Sequence, residues 1–299
     1  MKKIKTFYTP KQVCHDMDDS FSKSPLKPYL LMKKINEEGY ADCFDIEDKF
    51  KPIKKKDFLL AHTEEYVNNV FNKEGNYSSN SLPWSKNLVD SLHYTTGSLL
   101  AAKEWAINNP EDICFAPISG MHHAKPTSGS GFCTFSGQVI SAMKIYKKYK
   151  LSGAYLDLDG HYGNSIDDSY SFDHNIVKAI PKDCNINPRG VNAKYIEDFQ
   201  NKLNNLQKKI LNNEVHYVVF AHGADSHEDD DLGGSLDTKH WLMAAEVFAN
   251  WVNDTSSKLG KPLPVVLCLF GGYRHDNYDF VLDLHLKSLL KCREIIRNN

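Results

Sequence analysis

Tyr155-Leu156-Asp157-Leu158-Asp159-Gly160-His161-Tyr162-Gly163-Asn164 is the stretch on which the fold turns. It reads as a buried strand that ends in acids and a histidine, groups that a buried strand has no packing reason to carry. In extended geometry residues two apart point to the same side, so Asp157, Asp159 and His161 share one face. Two carboxylates and an imidazole converging at a strand end suit a divalent metal. The plainer alternative is a strand terminus whose polar groups cap the next helix and meet water, because acid-rich strand ends are common in α/β folds.

Working outward, the pattern alternates. It predicts strand 113–118, helix 136–148, strand 153–159, helix 193–211, strand 215–221, helix 238–259, strand 264–270 and helix 278–296. Before these come a strand over 4–9, a loop carrying Asp16, Asp18 and Asp19, and a helix opening at Ser24-Pro25 and stopped by Gly39. A helix N-capped by Thr63 follows, with Glu64 and Glu65 in its first turn. A polar loop spans 73–86, and a long helix over 87–108 is ended by Pro110. Apolar, β-branched strands alternating with amphipathic helices predict a three-layer α/β/α architecture around a mainly parallel sheet. No internal repeat or linker interrupts it, so residues 1–299 are expected to form one domain.

The hydrophobic fraction of 41% supports a substantial core, and a formal charge of −2 argues against a dedicated nucleic-acid binder. Two lysine clusters, Lys51 to Lys56 and Lys144 to Lys150, read as solvated faces. The seven cysteines are scattered without a C-x-x-C pair, which argues against both a disulfide framework and a cysteine-zinc knot. The N-terminus has lysines with no apolar run behind them, unlike a signal peptide. No apolar run approaches the ~20 residues needed to cross a bilayer, so a reducing, cytoplasmic setting without membrane contact is expected.

In a parallel α/β sheet, ligands bind beyond the carboxyl ends of the strands. Four predicted strands deliver functional groups there: His122 and His123, then Asp159 and His161, then Asp225, then Tyr273 after Gly271-Gly272. Each has a bland reading, as a filler pair of histidines, an acid adjoining the solvated run His227 to Asp231, or a loop aromatic. Their joint placement favours metal-assisted hydrolysis. Asp159, His161 and Asp225 would hold the metal, one tandem histidine would take a proton from water, and the other would serve the leaving amine. Tyr273 would hydrogen-bond the developing oxyanion, a contribution of roughly 3 kcal/mol.

These residues resemble the histone deacetylase and acetylpolyamine amidohydrolase superfamily, on the arginase/deacetylase fold. The resemblance rests on Gly120-Met121-His122-His123-Ala124 with Gly131-Phe132-Cys133, on Asp157 to Asn164, on Gly223-Ala224-Asp225, and on Gly271-Gly272-Tyr273. It implies a zinc-dependent deacylase with Asp159, His161 and Asp225 as ligands of one Zn2+ per chain, Fe2+ being the alternative in vivo. It further implies Tyr273 as the transition-state tyrosine, His122 and His123 as catalytic histidines partnered by Asp157 and Asn164, and Gly131 and Phe132 as the wall of an acyl-lysine tunnel. A structural K+ near Asp157, Asp159 and His161 is also implied. The expected partners are an acylated lysine side chain, peptide or polyamine, with no nucleic acid, and no exposed apolar helix argues for a dimer.

The chain departs from the resemblance at several places. Asn164 stands where several deacetylases carry Asp, and since an amide cannot hold a positive charge on His123, that histidine is expected to be the neutral base. Tyr162 replaces a second histidine, residues 174–188 lack the Pro-Gly-rich rim loop, and Ile180 falls where a potassium-binding serine is expected. The pattern is nearest to bacterial deacetylase-like and class IV members, where long acyl chains are also removed. Two rivals share parts of the reading. One is a dinuclear manganese ureohydrolase of the arginase type, for which an acid at Gly163 is missing; the other is a non-catalytic acyl-lysine or polyamine binding module.

Overall fold

The computed structural model describes residues 1–17 and 20–297; Asp18 and Asp19 of the expected N-terminal loop lie outside the described residues. Seven strands form one sheet: β1 (Ile4–Phe7), β2 (Phe44–Glu47), β3 (Ile113–Ala116), β4 (Gly153–Asp157), β5 (Asn185–Ile186), β6 (Tyr217–Ala221) and β7 (Val265–Cys268). Their order is β2-β1-β3-β7-β6-β4-β5, and every neighbouring pair is parallel. Each residue of β3, β4, β6 and β7 is buried, as strands covered on both faces require.

The helices fall into two packed groups. The first holds α3 (Lys86–Asn108) against α4 (Gly137–Tyr149). The second runs from α7 (Ala193–Leu211) through α8 (Thr238–Leu259) and α9 (Tyr278–Ile295) to α1 (Lys27–Glu37). Local chemistry sets their ends. The Thr63 hydroxyl accepts from Tyr66 N at 3.3 Å to start α2 (Glu64–Asn72), and Asp237 accepts from His240 N at 2.8 Å to start α8. Two one-turn helices, α5 (Ser165–Ser169) and α6 (Ile176–Ala179), follow β4. Among the described residues no helix is long and apolar enough to cross a membrane.

Register positions the functional edge. Ala116 pairs with Cys268, Cys268 with Ala221 and Ala221 with Asp157, so the four central strands end in one row. Beyond it the chain leaves the ladder: β4 stops at Asp157 rather than Asp159, and β3 at Ala116 rather than Ile118. The Leu158 amide still donates to Ala221 O at 2.8 Å, but the amides of Gly160 and His161 donate to the carboxylates of Asp225 and Asp159 instead of to a strand, which holds Asp159, His161 and Asp225 together. The edge strands β2 and β5 were not expected from the pattern. They are short and mix acids or asparagines with single apolar residues, so they carry no β-branched run.

One core group stands apart chemically. Lys103 is fully buried between α3, α4 and the sheet; its Nζ donates to Ser141 Oγ at 2.6 Å and to the Tyr155 hydroxyl. Burial holds its amine pKa well below the ordinary lysine value. In the unfolded chain that amine is charged at neutral pH, so the unfolded state binds more protons and stability rises with pH through this group. Both partners keep other bonds, Tyr155 to Gln138 O and Ser141 to Gly137 O. Lys103→Met is therefore expected to raise the thermal midpoint by several degrees at pH 7, with the gain shrinking toward roughly pH 10, where the unfolded lysine also loses its proton. A variant that melts lower than the parent at pH 7 would count against a neutral buried amine.

Candidate active site

Asp159 and His161 sit in the loop after β4, and Asp225 in a single 3-10 turn, Ala224–Ser226, after β6. One donor atom from each lies within 4.8 Å of the others. His161 Nδ1 is 3.0 Å from Asp225 Oδ2 and 3.3 Å from Asp159 Oδ1. Both carboxylates are pinned by backbone: Asp159 accepts from Gly271 N at 2.8 Å and His161 N at 2.9 Å, and Asp225 accepts from Gly160 N at 3.0 Å. The three loops are thus tied through the acids themselves. Gly271 is needed for this, because a Cβ there would stand 2.3 Å from Asp225 Cγ.

The electrostatics fit a divalent cation. Burial and the adjacent Asp159 carboxylate push the Asp225 pKa up to about 7. Burial also opposes ionisation of Asp159, but His122 and the bonds from His161 and Asp225 outweigh it and hold that carboxyl well below the usual range. Hydrogen bonds to Asp159 and Asp225 push His161 up to about 10. The negative field that favours a proton on this imidazole favours a metal ion between the three donors, and two carboxylates with one imidazole suit zinc or iron. Lys27, fully buried behind them, donates from Nζ to the Phe270 carbonyl. Burial lowers its pKa to about 8 against the pull of Asp225 and Asp159.

The tandem histidines lie beside this cluster with rings 4.0 Å apart, and each meets its expected partner. His122 Nδ1 is 3.0 Å from Asp157 Oδ2, and its Nε2 is 3.6 Å from Asp159 Oδ1. His123 Nδ1 is 2.8 Å from Asn164 Oδ1, and Asn164 Nδ2 donates to Asp168 Oδ2 at 2.6 Å. That second bond fixes the amide orientation, so His123 must donate from Nδ1 and leave Nε2 as the acceptor when neutral. The two rings titrate apart. Burial opposes the charge on His122, but Asp159 and Asp157 raise it to about 9, whereas burial and the His122 charge lower His123 to about 4. Asp157 is packed so closely that a Cβ on Gly163 would stand 2.0 Å from its Oδ2.

Gly131 and Phe132 both adopt positive φ, +48° and +62°, inside a two-residue hairpin closed by Ser130 and Cys133. Such a turn needs the left-handed region at both central positions. The Phe132 amide donates to Asn80 O at 2.9 Å, and Asn80 Nδ2 reaches Thr134 Oγ1 at 2.7 Å. The Phe132 ring stands 5.5 Å from that of Tyr273, whose amide donates to Asp230 Oδ2 at 2.6 Å. Burial and the Asp159 and Asp225 charges hold the Tyr273 phenol well above its ordinary pKa, so it remains a donor.

Several contributors escaped the sequence reading. Phe21 stacks on Phe132 at 6.0 Å and Tyr273 at 6.3 Å, yet it is a lone aromatic in a polar stretch with no period to reveal it. Asn80 is one polar residue among many in its loop. Asn185 and Asn187, not Ile180, meet the loop after β4: Asn185 Nδ2 donates to Gly163 O and Asn187 Oδ1 accepts from Gly163 N, both at 2.7 Å. Ile180 is buried in the core, five residues before β5 begins. A cavity of about 240 Å3 opens beside Asp159 and His161, bordered by Tyr162, Asn187, Arg189 and Tyr195.

If these three residues bind the metal, Zn2+ added to chelator-treated protein should raise its thermal midpoint, by about 2.7 kcal/mol in stability at a hundredfold excess over Kd. Asp225→Asn should lose that response, and an equal gain in both proteins would remove Asp225 from the ligand set.

Comparison with known proteins agrees with this geometry. The family model described as "Histone deacetylase domain" matches residues 22–179, more than half of the chain. Among curated relatives, the "Acetoin utilization protein AcuC" of Bacillus subtilis is 25% identical over 154 residues, 47% of this chain and 38% of its own length. A "Probable deacetylase" of Archaeoglobus fulgidus is 28% identical over 151 residues, 49% of this chain and 42% of its own. "Histone deacetylase 6" of Arabidopsis thaliana is 26% identical over 227 residues, 67% of this chain and 47% of its own. The matches thus span less than half the length of these relatives. The family match contains both histidines and the stretch from Asp157 to Asn164, while Asp225 and Tyr273 lie beyond it and join the cluster through the fold. The chain belongs to the histone deacetylase family.

Proposed function

We propose that the protein is a zinc-dependent amidohydrolase that removes acyl groups from acyl-lysine or related acylated amines. The observation that carries this reading is the placement of a neutral, correctly oriented histidine, His123, beside a three-donor cluster and a protonated tyrosine. A zinc ion on Asp159, His161 and Asp225 would supply Lewis-acid polarisation of the scissile carbonyl and acidify water. The chain's own groups do the rest. His123 Nε2 accepts the proton of the attacking water, while His122, held by Asp157, keeps a proton for the departing amine. Tyr273 donates to the oxygen that becomes the oxyanion. Phe132 would pack along the aliphatic arm that carries the amide, with Phe21 stacked on its ring.

Support for one metal rather than two comes from the donors: among the described residues a single group of His, Cys, Asp and Glu side chains lies within metal-binding reach. That disfavours the dinuclear ureohydrolase reading. A binding module would need neither the paired histidines nor their opposed protonation. Ferrous iron remains the alternative ion, and a cytoplasmic setting is read from the seven unpaired cysteines. Ile180, buried in the core, offers no hydroxyl where the resemblance places a potassium-binding serine, so that ion is not part of the proposal.

Protein purified without chelator should contain one zinc per chain and hydrolyse at least one of acetyl-lysine peptides, longer acyl-lysine peptides or acetylpolyamines. His123→Ala should keep the metal and lose about 10²-fold or more in kcat; unchanged turnover would sink the assigned base. The double variant N164D/D168N places a carboxylate against His123 Nδ1 without adding net charge. It should raise the His123 pKa and move the acid limb of kcat/KM upward by roughly one pH unit or more, whereas an unmoved limb would assign that limb to another group.

A further inference from the structure

The lysine clusters at 51–56 and 144–150, read from sequence as two separate solvated faces, border a single concavity of about 970 Å3. It lies between the loop after β2, the C-terminal half of α3 and the C-terminal half of α4. Lys49, Lys51, Lys54, Lys56, Lys144 and Lys148 line it, against only Glu47, Asp57 and Glu104, in a chain whose formal charge is −2. Lys144 and Lys148 are satisfied by Asp57 and Glu104, each at 2.9 Å, and Glu47 is 3.8 Å from Lys5. The acids are therefore already answered. Among the described residues, Lys49, Lys51, Lys54 and Lys56 have no carboxylate within ion-pair distance.

The lysine-bearing loop is built into place. The Ile53 side chain is buried, its amide donates to His93 O at 3.1 Å, and its carbonyl is 2.7 Å from His93 Nδ1. At Gly97, in the interior of α3, a Cβ would stand 2.8 Å from Lys51 O. Glycine is less favourable than alanine in a helix interior, and here it lets the loop lie directly on the helix. The loop backbone is thus fixed beside the hollow, whose border carries four exposed lysines and has Phe50, Leu100 and Trp105 as apolar walls.

We propose that this concavity binds a compact polyphosphate, the di- or triphosphate group of a nucleotide-sized metabolite, through Lys49, Lys51, Lys54 and Lys56. Ammonium groups bind phosphate as point charges, and several bordering one hollow suit a ligand whose charges are clustered. A nucleic acid would have to run its backbone past Glu47 and Glu104, and an anionic membrane would meet a hollow rather than a raised basic face. The site shares no residue with the catalytic cluster, and the proposal stands apart from the deacylase reading.

The test is isothermal titration of the zinc-loaded full chain with inorganic tripolyphosphate, with ATP and with adenosine, at low and moderate salt. The parent should bind the two phosphates, more weakly as salt rises, and should not bind adenosine. K51E/K54E should bind at least tenfold more weakly with a shallower salt dependence. K208E/K239E, an equal charge change at exposed positions elsewhere, should bind like the parent, and equal thermal midpoints would show that all three are folded. Phosphate held only by the catalytic zinc would be unaffected by K51E/K54E, and that result overturns the proposal. So would the absence of tripolyphosphate binding, equal loss in both variants, or tighter binding of single-stranded RNA or phosphatidylserine vesicles than of tripolyphosphate.

Discussion

Two carboxylates are forced to share one buried space, and the functional edge is arranged around that conflict: Asp159 is held as the anion while Asp225 is pushed toward its neutral form. Asp159 and Asp225 come from different strands, and both are almost without solvent. A like pair in such a place cannot hold two negative charges without a cation. The structure supplies backbone N–H donors from Gly160, His161 and Gly271, the imidazole of His161 and, farther back, the amine of Lys27. The donors enter because glycines stand where any side chain would collide with the acids. The glycines at the strand ends are thus part of the electrostatics as well as of the turns.

The same field divides the tandem histidines. His122 stands next to Asp159 and Asp157 and takes up positive charge, and that charge then lowers its neighbour. Asn164 completes the division. It gives His123 a neutral acceptor that sets the tautomer, while Asp168 is held one bond farther away on the other side of the amide. Two identical side chains adjacent in sequence therefore reach opposite protonation states through their second partners, the general way in which a site obtains both an acid and a base from one residue type.

How much of this is legible in the sequence follows from where local chemistry contradicts burial. Asp157, Asp159, Asp225 and the histidine pair announce themselves because charged groups stand at the ends of apolar strands, and helices 193–211 and 238–259 follow from periodicity alone. The edge strand β5 is two residues long, so no pattern can mark it, and without it Ile180 falls at a position that Asn185 and Asn187 occupy in space. Phe21 and Asn80 act through contacts more than fifty residues away in sequence, for which one sequence holds no signal. The lysine clusters were visible, but their convergence depends on the packing of α3 on α4.

Phe132 shows what the long loop over 73–85 contributes. A non-glycine residue in the left-handed region costs of order 1–3 kcal/mol and persists only when its surroundings over-determine it. Here the hairpin bonds between Ser130 and Cys133 fix the turn from inside, and Asn80 holds the Phe132 amide from outside. Asn80 is itself buried and tied to Thr134 and Leu82, so the loop packs as a brace at this point. The Phe132 ring consequently owes its position to two polar segments. Tyr273 leans on the Phe132 ring from the neighbouring strand end, its own amide anchored to Asp230, so the phenol beside the three-donor cluster is placed by the same packing that places that ring.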